Sequence, residues 1–145
     1  MDPFARKMVY GSLIYGGMML AMFAVLSLVY FHIRPRCADR TIADAAAPGQ
    51  KWNATIMERR CGEEAAFFTH VNLRIATQSQ KYGFFSGQAT EGEVFQIEQD
   101  ARTARLSLLW TEPDQLTIQC SKCADVPAGK REEKWGPVTI RYELK

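Results

Sequence analysis

The residues with the sharpest chemical alternatives in this chain are its four cysteines. Cys120-Ser-Lys-Cys123 has the spacing of a thiol redox pair. In thioredoxin-type enzymes such a pair opens a helix, whose dipole lowers a thiol pKa. Pro127 and Gly129 follow here and disfavour a helix. A thiol-redox enzyme that uses Cys120 and Cys123 therefore remains only as an alternative.

The same cysteines allow two further arrangements. A zinc site would combine Cys120 and Cys123 with Cys61 and either Cys37 or His70, although a second paired-cysteine motif is missing. Disulfides in an oxidising compartment are the simpler interpretation, with Cys61, Cys120 and Cys123 as the candidates. Four cysteines permit three full pairings, and the sequence does not choose among them. We expect no metal and no cofactor.

The sequence contains no established catalytic motif. His32 and His70 are its two histidines, and we expect His70, on the more polar face of a predicted strand, to be exposed or bonded to a partner. No Gly-x-Ser-x-Gly elbow, His-Glu-x-x-His motif or phosphate-binding glycine loop occurs. We therefore predict that the protein is not an enzyme.

A long apolar segment near the amino terminus must position the rest of the chain. From Met8 to Phe31 there are 24 residues without a charge, which span about 36 Å as a helix. This is longer than the apolar core of a signal peptide, and no small-residue cleavage site follows it. We predict an uncleaved single-pass transmembrane helix over 8–33, after a flank over 1–7.

The charges beside this helix do not decide its orientation. Arg6 and Lys7 flank one end, whereas Arg34, Arg36 and Arg40 flank the other. A compact domain with four cysteines behind an amino-terminal anchor is typical of export. We therefore predict a bacterial inner-membrane protein whose carboxyl-terminal domain is periplasmic.

One face of the predicted helix carries small residues at spacings of four, three and three. These residues are Gly17, Ala21, Ala24 and Ser27. Helices can approach closely at such a face. The face is either ordinary membrane-helix composition or a packing surface for a homodimer or another subunit.

The remaining chain carries strand signals. Residues 34–50 are predicted to be a tether that ends in a turn at Pro48-Gly49. Alternation with period two predicts strands at 52–61, 67–75, 95–97, 106–110, 116–120 and 138–144. Because crossover helices are missing, we predict a small all-β antiparallel domain over 51–145, with about six strands in a meander or sandwich. Pro113 and Asp114 predict a hairpin.

The segment 78–92 combines glycines with the aromatic residues Tyr82, Phe84 and Phe85. Either the aromatic side chains fold back over an open end of the sheet, or the segment is a binding loop that presents them to a partner.

Charge limits the class of partner. Residues 45–145 carry thirteen Lys/Arg and thirteen Asp/Glu, so the domain is neutral. Nucleic-acid-binding domains usually carry a cationic excess. We expect the bilayer and another protein as partners, and no nucleic acid.

Four segments resemble an uncharacterised group of short bacterial membrane-anchored or lipoprotein β domains. They contain a Cys61-Gly62 strand start, a Gly-x-Val-Phe strand at 92–95, a strand with Trp110, and a Val-x-Ile-x-Tyr strand at 138–142. This chain departs from the group because Pro48-Gly49 replaces a Ser-Pro-Asp-Gly turn. The resemblance implies a β fold outside the cytoplasm and brings no known activity.

The combined features predict a membrane-tethered, non-enzymatic protein-interaction module at the periplasmic face, such as an accessory subunit of a membrane complex. One alternative is an immunity protein that neutralises a toxin acting in the periplasm or membrane. The other is the thiol-redox enzyme described above.

Overall fold

The computed structural model describes residues 2–33, 37–62, 68–84 and 86–145. The chain divides into two compact units, residues 1–35 and residues 36–145. In chain order the elements are α1 (Pro3–Ile33), β1 (Cys37–Ala46), β2 (Trp52–Cys61), β3 (Phe68–Ile75), β4 (Glu93–Ile97), α2 (Ala101–Ala104), β5 (Leu106–Glu112), β6 (Gln115–Cys120), β7 (Ala128–Arg131), β8 (Lys134–Trp135) and β9 (Val138–Leu144).

The first unit contains one long apolar helix, as predicted. It begins at Pro3 rather than at Met8, because proline is well suited to the first turn of a helix. It ends at Ile33, where the prediction placed its end. The most apolar 18-residue window of this helix has a mean hydropathy of 2.0, and the helix from Pro3 to His32 is long and apolar enough to cross a membrane.

The second unit is a β domain of two sheets. One sheet has the strand order β1-β2-β3-β4-β7, and the other has the order β5-β6-β9-β8. All six predicted strands are present, as β2 to β6 and β9. The predicted fold class, a single helix followed by a small antiparallel-rich β domain, is therefore confirmed, with nine strands among the described residues instead of about six.

Strand β1 lies within the segment that the sequence predicts to be a tether. It pairs antiparallel with β2 from Cys37 opposite Cys61 to Ala46 opposite Asn53. Its composition of alanine, aspartate and arginine lacks the apolar alternation that marks a strand. Pairing with β2 therefore determines this strand, as context often does for β structure. The predicted turn at Pro48-Gly49 follows it.

One strand pair differs from the antiparallel expectation. Strands β6 and β9 are parallel, with Gln115 opposite Thr139 and Cys120 opposite Leu144. Parallel neighbours need a long crossover, usually a helix. Here residues 121–137 provide the crossover, and they include β7 in the first sheet and β8 in the second. The sequence prediction missed it because these two strands are short and polar.

The apolar core combines buried side chains from both sheets. Ala54, Val71 and Phe95 come from the first sheet, and Leu116 and Ile140 come from the second. Each is at most 3% exposed. The sheets therefore shield each other's apolar faces, as in a β-sandwich.

Two seams join the sheets at their edges. At one seam the chain passes directly from β7 to β8, and the Tyr142 hydroxyl donates a hydrogen bond to the Glu132 carbonyl oxygen at 2.5 Å. At the other seam the edge strands β1 and β5 approach each other, and Trp110 Nε1 donates to the Ala45 carbonyl oxygen at 2.9 Å. A groove opens at the other end of this second seam, where β5 begins at Leu106.

Gly92 directly precedes β4, at a point where the backbones of β3 and β4 lie close together. It has a φ of +81°, and a Cβ atom there would overlap the Leu73 carbonyl oxygen. We predict that Gly92→Ala lowers the free energy of unfolding by at least about 2 kcal/mol, because backbone conformation and packing both oppose the side chain. Urea denaturation of the full chain in detergent, followed by tryptophan fluorescence, measures this loss.

Gly136→Ala is the matched control. Gly136 has a φ of +57°, but no atom lies within 4 Å of a Cβ placed there. Only the cost of the left-handed backbone conformation then applies, and it lowers the free energy of unfolding by about 1 to 2 kcal/mol. Equal losses for the two variants would contradict the close approach at Gly92.

Candidate functional site

Four ionisable side chains, two of them buried and two half-buried, gather on the outer face of the five-stranded sheet. Asp39 on β1 lies directly opposite Arg59 on β2. His70 on β3 and Glu93 on β4 complete the group. Alternation of strand side chains places Asp39, Arg59 and His70 on the face away from the apolar core. A register shift between β3 and β4 interrupts the alternation and places Glu93 on the same outer face, opposite Asn72. We call the four side chains the buried charge cluster.

Asp39 and Arg59 form the strongest contact of this cluster. Arg59 Nε donates to Asp39 Oδ1 at 2.8 Å, and Arg59 Nη2 donates to Asp39 Oδ2 at 3.0 Å. Such two-point contacts combine charge with fixed geometry. His70 Nδ1 lies 3.0 Å from Glu93 Oε2, while His70 Nε2 lies 3.5 Å from Asp39 Oδ1. The imidazole therefore stands between two carboxylates.

The loop over residues 76–92 covers this cluster. The Ala89 backbone N–H donates to Asp39 Oδ2 at 2.5 Å, and the Asp39 N–H donates to the Gly87 carbonyl oxygen at 3.1 Å. The side chains of Asp39 and His70 are 0% and 1% exposed. His70 is thus bonded to a partner and not exposed, which decides between the two expectations for it.

Burial and neighbouring charge act in opposite directions within the cluster. The hydrogen bonds to Asp39 raise the pKa of Arg59, against the effect of burial. Burial lowers the pKa of His70, although Asp39 and Glu93 oppose it. His70 is therefore neutral at pH 7, and Arg59 is the permanent cation of the cluster.

This geometry favours a structural role for the cluster. A general base must reach the proton of its substrate within hydrogen-bond distance. His70 is covered by the loop, and its hydrogen-bond and ion-pair partners within the described part of the chain are carboxylates, with no hydroxyl or thiol among them. The cluster instead joins four neighbouring strands, β1 to β4, and the loop that crosses them.

The cysteines form two disulfides. Cys61 bonds to Cys37, which the sequence prediction had assigned to the tether and omitted from the disulfide candidates. The pair links the first residue of β1 to the last residue of β2. The even number of cysteines could have indicated this pair, because Cys37 is the partner left for Cys61 if Cys120 bonds to Cys123.

Cys120 and Cys123 form the second disulfide. The two residues are 1% and 2% exposed, and the Cys123 N–H donates to the Lys145 carbonyl oxygen at 2.8 Å. A redox pair needs a sulfur that its substrate can reach. The burial favours a structural crosslink that holds the carboxyl-terminal residue beside the end of β6.

The disulfides also bear on the zinc alternative. Thiolates bind zinc, whereas disulfide sulfurs are not thiolates, so the proposed ligands would first have to be reduced. Across residues 2–33, 37–62, 68–84 and 86–145, no three His, Cys, Asp or Glu side chains are grouped as metal ligands.

The groove at the second seam is the second candidate site. It has a volume of about 550 Å³ and is partly open to solvent. Its floor contains Ile42, Ile56 and Leu106. The arginines that line it are Arg40, Arg60, Arg102 and Arg105, all exposed. We call this site the arginine groove.

The two carboxylates of the arginine groove are bound to backbone groups. Glu58 Oε1 accepts a hydrogen bond from the Ala101 N–H at 3.1 Å. Asp100 Oδ1 accepts one from the Thr103 N–H at 2.8 Å, and hydrogen bonds to Thr103 lower the pKa of Asp100. Glu58 thereby fixes the one-turn helix α2 to β2, and Asp100 caps the amino-terminal end of α2. The four arginines outnumber these two carboxylates, so the described lining carries a local excess of positive charge.

The residues predicted to contact partners lie elsewhere. Phe84 is 94% exposed and Tyr82 is 46% exposed, so neither side chain folds over the sheet as a buried cover. Phe85 lies outside the described residues. Gly17, Ala21, Ala24 and Ser27 lie within helix α1. Their role in helix packing stays a prediction.

The ion pair in the buried charge cluster yields a stability prediction. We expect Arg59→Leu to lower the free energy of unfolding by about 3 kcal/mol or more, because the Asp39 carboxylate would stay buried without its cation. Urea denaturation measures the loss. Lys81→Leu breaks an exposed 3.0 Å pair with Glu91 and should cost less than about 1 kcal/mol. Losses of the same small size would show that Asp39 does not depend on Arg59.

His70 yields a prediction of pH dependence. Its folded pKa is lower than the ordinary value of 6.5, so the unfolded chain binds the proton more readily. The free energy of unfolding should therefore fall as the pH is lowered below about 6.5, and His70→Gln should flatten this slope between about pH 7 and pH 5.5. His32→Gln, in helix α1, should retain the slope. A steep slope in the His70 variant would assign the effect to other groups.

Comparison with known proteins adds no assignment to these sites. No protein-family model, curated protein or solved structure matches this chain. The function must therefore be argued from the helix, the disulfides and the two candidate sites.

Proposed function

We propose that this protein is a membrane-anchored, non-enzymatic interaction module whose β domain lies at the periplasmic face of a bacterial inner membrane, as an accessory subunit of a membrane complex. The observation that carries the proposal is the arginine groove, where apolar and cationic groups are exposed together at the edge of a disulfide-linked β-sandwich. Such a combination suits recognition of another protein.

The helix supports the anchoring part of the proposal. It contains 24 consecutive residues without a charge, from Met8 to Phe31, and it is long and apolar enough to cross a membrane. An apolar surface of this length is costly in water, and a bilayer would cover it. A retained helix would hold the β domain at the membrane surface.

The disulfides support the compartment. Both form between residues of the β domain, and none of the described cysteines is free. Disulfides persist in oxidising compartments such as the periplasm and are rare in the bacterial cytosol. An outward-facing domain is therefore the orientation that fits this chemistry.

The buried charge cluster supports a binding role over a catalytic one. The charged side chains of the cluster contact each other and the covering loop. Recognition of a partner would therefore fall to the exposed groups of the domain. Those exposed groups are the arginine groove and the loop with Tyr82 and Phe84. Both are of the kind found in protein interfaces, where arginine and aromatic residues are enriched.

A topology and crosslinking experiment tests this function. We expect alkaline phosphatase fused after Lys145 to be active, and cysteines of the unfolded protein to resist alkylation until they are reduced. A photoreactive amino acid placed singly at Phe84, Leu106 and Leu109 should then crosslink a discrete membrane-complex protein from at least one position. Phe84 lies in the loop, Leu106 lines the groove, and Leu109 lies on the opposite face of β5.

The outcomes separate the parts of the proposal. An inactive fusion together with four alkylatable thiols would move the domain to the cytoplasm and overturn the localisation. An absence of crosslinked protein from all three positions would overturn the interaction function. The same fusion made to a variant without residues 3–33 should stay in the cytoplasm and provides the control for export.

A further inference from the structure

We propose that the arginine groove binds an extended, acidic segment of the partner protein. This inference rests on the proposed function and names the chemistry that the partner must offer. The segment would place carboxylates beside the arginines and apolar side chains on the floor formed by Ile42, Ile56 and Leu106.

The charge of the groove lining is the first support for an acidic ligand. The described lining holds four arginines against Glu58 and Asp100, whereas residues 36–145 as a whole carry fifteen Lys/Arg and fifteen Asp/Glu and are neutral. Arg40, Arg102 and Arg105 make no side-chain hydrogen bond or ion pair to any residue in the described ranges. Carboxylates from outside the chain would therefore meet guanidinium groups that need not first leave an internal partner.

The shape of the groove is the second argument. It lies between β1 and β5, which are the edge strands of the two sheets. An extended peptide follows the direction of such strands, and peptide recognition at sheet edges is a recurrent binding mode. Trp110 closes the seam at one end through its bond to Ala45. A bound segment would thus occupy the open end, beside Leu106.

The apolar floor of the groove favours a ligand that carries apolar side chains as well as charges over a purely ionic one. Ile42 is 44% exposed, although it is a large apolar residue on an edge strand, and Leu106 is partly exposed beside it. Covering these side chains would stabilise a complex through the hydrophobic effect. Among the described residues the lining contains no aromatic side chain, so they offer no surface for the stacking that single-stranded nucleic acids use.

The test uses the full-length protein in phosphatidylcholine nanodiscs. The probe is a short fluorescein-labelled peptide of alternating glutamate and leucine, and a peptide of alternating lysine and leucine is its matched control. We expect fluorescence anisotropy to show binding of the acidic peptide only, with an affinity that falls as salt is raised.

Substitutions locate the binding. Arg102→Glu with Arg105→Asn removes two cations from the groove and should weaken binding about tenfold or more. Asparagine is chosen because Arg105 has a φ of 52°, which asparagine adopts readily. Lys122→Glu with Arg141→Gln changes the net charge equally, away from the groove, and should leave the affinity within about twofold.

Three results would overturn this inference. In the first, both double variants bind the acidic peptide equally. In the second, both peptides bind alike. In the third, the acidic peptide fails to bind, but dihexanoyl phosphatidylglycerol binds in an arginine-dependent way, which would assign the groove to a lipid headgroup. The proposed function survives these results if Phe84 or Leu109 still crosslinks a protein, so the two failures can be distinguished.

Discussion

The β domain depends on one buried carboxylate that must be satisfied. The Asp39 side chain is 0% exposed, and a buried charge is tolerated only with a close counter-charge and hydrogen bonds. Arg59 supplies the charge through two bonds, and the Ala89 N–H supplies a third. These requirements keep β1 in the sheet and hold the loop 76–92 against it. The same residues explain why His70 is enclosed.

The domain has a closed seam and a partly open one, and this difference decides where a ligand has access. The continuous chain from β7 to β8 and the Tyr142 hydroxyl close the first seam. Burial raises the pKa of Tyr142 to about 12, so this donor keeps its proton in the physiological range. At the second seam, the Trp110 side chain donates a hydrogen bond to the Ala45 carbonyl oxygen at one end. The arginine groove exists because the seam stays open at its other end.

The two disulfides lie in the frame of the sandwich, and the exposed arginines lie at its edge. Cys37–Cys61 fixes the register of β1 against β2, and that register places Asp39 opposite Arg59. Cys120–Cys123 holds the end of the chain beside β6. A small domain gains stability from such crosslinks because its core is limited.

The sequence by itself determined the elements that have a periodic or compositional signal. The uninterrupted apolar run predicted helix α1, and period-two alternation predicted six strands. The turn residues Pro113 and Asp114 predicted the hairpin between Trp110 and Leu116. Those signals are local, since they arise from which face each side chain must bury. Only the tertiary structure decided the rest. Strand β1, the Cys37–Cys61 pair, the buried charge cluster and the arginine groove all join residues distant in sequence, and polar residues acquire such contacts through strand pairing that no local pattern encodes.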